Sequence, residues 1–255
     1  MTDPFDPFDQ EDETPRPQLT NMRLAMQTMI QIHEAPAGVP RIGLFYGFSG
    51  YGKTTAAAYI ASQFDALFVT AEPVWTQRAM LETIGRELGI ARLERSAPRL
   101  LTQIKDTLVA HRRPLIIDET DFIVDRDWIE IIRSIHDLTN VAVLLIGEES
   151  LPAKLKKRER FDNRILVATP SQPATLEDAL LLRDYFCTGA RVEDDLVAAI
   201  AVACDGVTRR IVVNLLDAQK LALSAGRTSI DRAGWGDAPF STGQVQTRRA
   251  LRRVA

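Results

Sequence analysis

Cysteine and histidine are scarce in this chain. There are two cysteines, Cys187 and Cys204, and three histidines among 255 residues. Two thiols are too few for a disulfide framework or a four-thiolate zinc site, and no structural metal is expected. No run approaches about 18 apolar residues, so no transmembrane helix is expected either. Residues 1–13 contain no Lys or Arg. With no basic segment leading into an apolar one, no signal peptide is expected, and the cytoplasm is the expected compartment. What is present is ordinary for a globular protein: 45% hydrophobic and 25% charged residues. That is enough apolar material for a core, and it excludes a wholly disordered, collagen-like or disulfide-stapled chain. At roughly 150 residues per domain, the length suggests one large domain with a small appendage.

The net charge of −3 hides an asymmetry. The start is acidic (Asp3, Asp6, Asp9, Glu11, Asp12, Glu13), and the end carries Arg248, Arg249, Arg252 and Arg253 without an acid. Residues 1–18 read as an acidic, disordered solvating tail, with a short partner-docking motif as the alternative. Residues 227–255 read as a flexible basic tail, either an arm for phosphates or a solubilising end.

Between the tails, hydrophobic periodicity sets the organisation. Residues 19–35 have helical spacing, with Thr20 or Asn21 as N-cap. Short apolar runs at 42–46, 66–70, 115–117, 141–146 and 165–168 read as buried strands. Helical patterns at 53–63, 75–88, 97–111, 127–138 and 150–160 lie between or beside them. Alternating strands and helices predict an α/β fold, a parallel sheet sandwiched by helices, over residues 19–170. Beyond Pro170–Pro173 the pattern becomes three helices, 175–187, 192–204 and 207–224, which predicts a small all-helical domain at 171–226.

Residues 47–54, Gly-Phe-Ser-Gly-Tyr-Gly-Lys-Thr, match the phosphate-loop pattern in full. An apolar strand precedes them and a helix follows, as the chemistry requires. Gly47, Gly50 and Gly52 let the backbone curl so that its N–H groups, including those of Ser49, Tyr51 and Thr55, face phosphate oxygens. Lys53 brings a positive charge to the β- and γ-phosphates, and the Thr54 hydroxyl is a Mg²⁺ ligand. The new helix aims its positive end at the same anion. Further on, Pro114-Leu115-Ile116-Ile117-Asp118-Glu119 is an apolar strand ending in two acids. Asp118 is the expected partner of Mg²⁺, and Glu119 the expected base or orienter of an attacking water.

With this acid pair, the later strand and the helical tail, the chain resembles the AAA+ ATPases. The segment Leu144-Leu145-Ile146-Gly147-Glu148-Glu149-Ser150-Leu151 is similar to one in the branch of replication initiators and transposition ATPases. Glu148 occupies the sensor position, where that branch commonly has a small polar residue. The resemblance implies an arginine finger at Arg164, with Arg158 and Arg160 as alternatives, acting on a neighbouring subunit's γ-phosphate. It implies a lid arginine at Arg209, in Gly206-Val207-Thr208-Arg209-Arg210. Over residues 20–225 the chain looks most like the phage Mu B-type transposition ATPases, which implies ATP and Mg²⁺ as cofactors. It also implies a homo-oligomer, a helical filament or ring, on duplex DNA, with a transposase as partner and no membrane. Arg78, Arg95, Arg99, Lys105, Arg112 and Arg113 are the candidate phosphate contacts. A helicase loader or replication initiator shares every one of these motifs. A P-loop kinase or a non-hydrolysing switch fits the Asp118–Glu119 pair less well.

Overall fold

A computed structural model gives the structure of residues 17–36 and 38–243. The charged stretches 1–13 and 248–253 lie outside these described residues. In chain order the elements begin with α1 (Thr20–His33), β1 (Ile42–Tyr46), α2 (Lys53–Phe64), β2 (Leu67–Thr70), α3 (Gln77–Glu87) and α4 (Ala97–His111). Then come β3 (Leu115–Asp118), α5 (Asp121–Val124), α6 (Ile129–Thr139), β4 (Val143–Gly147), α7 (Leu151–Lys156), α8 (Glu159–Asp162) and β5 (Ile165–Pro170). The remainder comprises α9 (Leu176–Phe186), β6 (Arg191–Val192), α10 (Asp194–Ala203), α11 (Thr208–Ser224), β7 (Ser229–Ile230) and α12 (Arg232–Trp235).

The chain divides into two compact units. The larger comprises Thr20–Ala174 together with Val207–Arg209. Its five-stranded sheet has the order β2-β3-β4-β1-β5, all parallel. The three middle strands have apolar side chains buried on both faces, as a helix-covered parallel sheet demands. The edge strand β5 is mostly half-exposed. The core joins Ile42, Leu44, Leu115, Ile117, Val143 and Leu145 of the sheet to Met80, Ile84, Leu100, Ile104, Ile132 and Ile135 of the helices. Burying each such side chain contributes about 1.5–3 kcal/mol. All three middle strands therefore end in a fixed row, and the loops that carry chemistry leave from their carboxyl ends.

Two local expectations need correction. The helix predicted at 150–160 breaks at Lys157–Arg158. Arg158 leaves helical geometry (φ −116°, ψ 75°) as its guanidinium donates to the Val124 carbonyl at 2.7 Å and pairs with Asp127. Asn21 is no N-cap. It lies inside α1, and its amide group reaches two distant backbone segments, described below.

The smaller unit comprises Thr175–Gly206 and the described residues from Arg210 onward. It is largely helical but not all-helical as expected from the sequence, since β6 lies between its helices, and α9 opens with a reciprocal capping box between Thr175 and Asp178. It also holds a two-residue parallel bridge, β6–β7. Residues 229–235, read from sequence as part of the flexible tail, carry β7 and α12. Ile230 is buried there, and Asp231 caps α12 by accepting from the Gly234 amide at 2.7 Å. Asn214, wholly buried, donates to the Ser241 carbonyl (3.0 Å) and accepts from the Ser241 amide (2.8 Å), so order extends past residue 240.

Candidate nucleotide site

The phosphate loop leaves the end of β1 and turns directly into α2. Gly50 and Gly52 have φ of 84° and 80°, values that side-chain-bearing residues rarely adopt. Gly47 is required for a second reason: a Cβ there would lie 2.1 Å from the Ser171 hydroxyl oxygen. Gly52 directly precedes the first turn of α2, so the amides at the loop tip are left for an anion. Lys53 Nζ donates to the carbonyls of Gly47 (2.7 Å) and Phe48 (2.9 Å), which holds the ammonium over the loop. Burial pulls this ammonium below its ordinary value of 10.5, while the charges of Asp118, Glu119, Glu148 and Asp121 oppose the shift. The Thr54 side chain is exposed, as is Ser49, and Tyr51 meets Phe48 edge-on with ring centroids 5.9 Å apart.

The acid pair stands at the end of β3, two strands from β1. Asp118 is 2% exposed. Its Oδ1 accepts from the Glu119 amide at 2.8 Å, and its Oδ2 is buried with no hydrogen-bond partner. A buried, unpartnered carboxylate oxygen is costly unless something binds it. Among the described residues no group of three or more His, Cys, Asp or Glu side chains is placed to hold a metal. Mg²⁺ does not need such a cage, since it is commonly held by one or two protein oxygens together with substrate phosphates. Asp118 Oδ2 and the Thr54 hydroxyl are donors of the type it takes. Glu119 adopts φ 52°, a left-handed conformation that is uncommon for a side-chain-bearing residue. Partial shielding from water, then the neighbouring Asp118 charge, raise its carboxyl above the ordinary 4.5. A carboxylate of raised pKa is a better proton acceptor than a free one.

Several residues that the sequence reading did not use build the surroundings. The Asn21 Nδ2 donates to the carbonyls of Tyr51 (2.8 Å) and Gln172 (2.7 Å), and its Oδ1 accepts from the Gln172 amide (2.8 Å). Asn21 thereby ties the loop tip to the chain leaving β5. The Ser171 amide donates to Tyr46 at 2.7 Å, and its hydroxyl is buried against Gly47 with no partner. Nothing local in the sequence signals these contacts, because the partners lie far apart along the chain.

The arginines separate sharply. The Arg209 amide donates to the Gly50 carbonyl at 3.2 Å, so this residue stands beside the loop with its side chain exposed. Arg158 is engaged by Asp127 and by the Val124 and Lys154 carbonyls. Arg164 pairs with Asp137 at 2.8 Å. Arg160 is exposed and has no partner among the described residues. Arg160 and Arg164 precede β5, whereas the phosphate loop follows β1, which runs parallel to it. About 16 Å of strand separates the start of β5 from the loop end of β1. The Glu148 side chain, expected at the sensor position, is exposed just after β4.

Of the candidate phosphate contacts, Arg78 pairs with Glu82 (2.6 Å), Lys105 donates to Ser134 (2.6 Å), and Arg113 pairs with Asp65 (2.9 Å). The side chains of Arg95, just before α4, of Arg99, in its first turn, and of Arg112, just after it, are exposed without partners among the described residues. No described helix is long and apolar enough to cross a membrane.

Residues 38–155 match the family model described as AAA domain. No curated protein matches the chain in sequence. Among solved structures it is similar to the Orc1 protein of Aeropyrum pernix in complex with DNA, at 20% identity and TM-score 0.59 over 88% of this chain. Cdc6p of Pyrobaculum aerophilum is similar at 16% identity and TM-score 0.61, over 88% of this chain and 67% of that one. A RuvB variant of Thermotoga maritima is similar at 19% identity and TM-score 0.54, over 82% of this chain and 64% of that one. The chain spans 64% of the length of the Orc1 structure. The matched segment is less than half of the chain, and the fold is the AAA+ P-loop NTPase fold.

Proposed function

We propose that this protein binds ATP with Mg²⁺ in the loop Gly47–Thr54, hydrolyses it, and uses the cycle to assemble on duplex DNA in the cytoplasm. The observation that carries the reading is the buried, unpartnered Oδ2 of Asp118, at the end of β3, whose charge is felt by Lys53 in the loop. In this reading the amides of Gly50–Thr55 bind phosphate oxygens, and Lys53 exchanges its two loop carbonyls for the nucleotide. Thr54 and Asp118 hold Mg²⁺, which supplies charge neutralisation on the phosphates. Glu119 takes the proton of the attacking water, and its raised pKa suits that task. Arg209, beside Gly50, contributes positive charge from within the same chain. Arg160 or Arg164 acts on a neighbouring subunit's nucleotide, so hydrolysis depends on oligomerisation.

DNA as the substrate surface is supported by two observations. One relative of the same fold was solved with DNA. The exposed side chains of Arg95, Arg99 and Arg112 are free to contact phosphates. Such contacts give binding that falls steeply with salt and carries little sequence preference. An initiator- or loader-type role is favoured by the likeness to Orc1 and Cdc6p. A transposition role with a transposase partner rests on the segments 115–119 and 144–151 alone.

The test is retention on DNA by a Glu119→Gln variant that binds but does not turn over ATP. Mobility shifts on unrelated duplexes are expected with ATP and Mg²⁺, lost with ADP and weakened by salt. Equal mobility with and without ATP would overturn the DNA part of the proposal. Capture of a helicase or of a transposase by the retained complex separates the two partner readings.

A further inference from the structure

Asp121, the first residue of α5, has entered so far only as one of the charges that act on Lys53. Its side chain is 9% exposed, and both carboxylate oxygens are engaged. Oδ2 accepts from the Glu148 amide at 2.7 Å, and Oδ1 accepts from Lys154 Nζ at 2.8 Å. Lys154 is held in turn by Asp125 at 3.0 Å. The fit is close: a Cβ on Gly147 would lie 2.4 Å from Asp121 Oδ2 and 2.8 Å from a Leu151 methyl. Only glycine lets the carboxylate close on this turn.

The Glu148 amide and the Gly147 carbonyl belong to one planar peptide group. Its N–H points at Asp121, and its C=O accepts from the Gly47 amide, the first of the phosphate loop, at 3.2 Å. A planar unit cannot turn one end without turning the other. Whatever fixes the N–H therefore also fixes the carbonyl on which the loop entrance hangs. The same peptide carries the Glu148 side chain, whose charge is felt by both Lys53 and Glu119.

We propose that Asp121 is a positioning residue of the nucleotide site, which locks the Gly147–Glu148 peptide so that its carbonyl anchors Gly47. Lys154 neutralises Asp121 and lets a carboxylate serve there without adding an unpaired charge. The proposal deepens the ATP-hydrolysing reading and rests on it. It also makes a claim about the loop that does not depend on turnover.

The test compares wild type with Asp121→Ala, Asp121→Asn and Asp121→Asn/Lys154→Met. The single asparagine variant keeps an acceptor for Glu148 but turns an amide toward an ammonium, whereas the double variant removes that conflict. Two readouts are used: amide NMR resonances of the nucleotide-free protein, and kcat/KM for ATP per folded molecule. In Asp121→Ala the resonances of Glu148 and Gly47 are expected to move together, although Asp121 does not touch Gly47. The kcat/KM is expected to fall about tenfold or more, because small misplacements at a reacting centre are costly. The double variant should restore both. Should Asp121→Ala not fold, the single asparagine variant against the double variant makes the same comparison. A Gly47 resonance that stays in place while Glu148 moves would overturn the proposal, as would a kcat/KM within twofold of wild type. If the wild-type protein does not hydrolyse ATP, the hydrolytic reading fails, and the Gly47 resonance alone decides the positioning claim.

Discussion

Replacing Asn21 gives an inverted order of damage that follows from its geometry. Its amide group makes three hydrogen bonds to the backbone, to Tyr51 O, Gln172 O and Gln172 N. The residue is 7% exposed. At a net worth of about 1 kcal/mol each, Asn21→Ala should cost the larger unit about 3 kcal/mol. That corresponds to a fall of about 6–12 °C in Tm for a unit of this size. Asn21→Asp is nearly isosteric, and a size argument would rank it as the milder change. The structure ranks it as the more severe one. The introduced carboxylate keeps the bond from the Gln172 amide, but its second oxygen replaces a donor that lies 2.8 and 2.7 Å from two carbonyl oxygens. Two bonds turn into repulsions, and an unpaired charge is buried, which together cost more than the alanine change. The sign of the pH effect follows. The fold favours the protonated carboxyl, which can donate to one of the two carbonyls, so its folded pKa lies above its unfolded one. The penalty is present above the folded pKa and lessens as the pH falls through it. Thermal unfolding of both variants between pH 7 and 4.5 is the assay. An Asn21→Asp protein as stable as wild type at pH 7, or more stable than Asn21→Ala, would refute the reasoning.

Three further outcomes are expected. Lys53→Met, which removes the ammonium held over the Gly47 and Phe48 carbonyls, should raise the Kd for ATP about hundredfold, or about 2.7 kcal/mol, by calorimetry; a change within threefold would contradict the role given to Lys53. The hydrolysis rate should fall as pH drops through the raised pKa of Glu119, so its acid limb should lie above the ordinary 4.5; a limb at or below that value would contradict the shielding by burial and Asp118. Arg158→Ala should lower Tm and leave hydrolysis per folded molecule unchanged, whereas Arg160→Ala should leave Tm within about 1 °C and reduce hydrolysis only at concentrations where the protein is oligomeric; the reverse pattern would exchange their roles.

The parts legible from sequence are those whose physics is local. Strands β1, β3 and β4 stand out because strands covered on both faces become unbroken apolar runs bounded by Gly, Pro and Asp. The phosphate loop is legible because its glycines, lysine and threonine act within eight positions of one another. Asn21, Asp121 and Ser171 were not legible for the opposite reason. The Asn21 partner Gln172 is 151 positions away and the Asp121 partner Glu148 is 27 away, and in both contacts the partner group is backbone that any residue could supply. Arg158 and Arg160 read identically in a basic stretch. Only the Val124 carbonyl and Asp127 distinguish a structural arginine from a free one. Order beyond Gly226 was hidden because it depends on one buried isoleucine and on Asn214 reaching Ser241.

The most direct test of the central claim is the steady-state rate of ATP hydrolysis, measured for the wild-type protein and for Glu119→Gln, each with and without duplex DNA. Mg²⁺-dependent hydrolysis that DNA stimulates, with a loss of about a hundredfold or more in the variant while ATP binding is retained, is the predicted result. Hydrolysis indifferent to DNA, or a Glu119→Gln protein that turns over ATP at the wild-type rate, would contradict it.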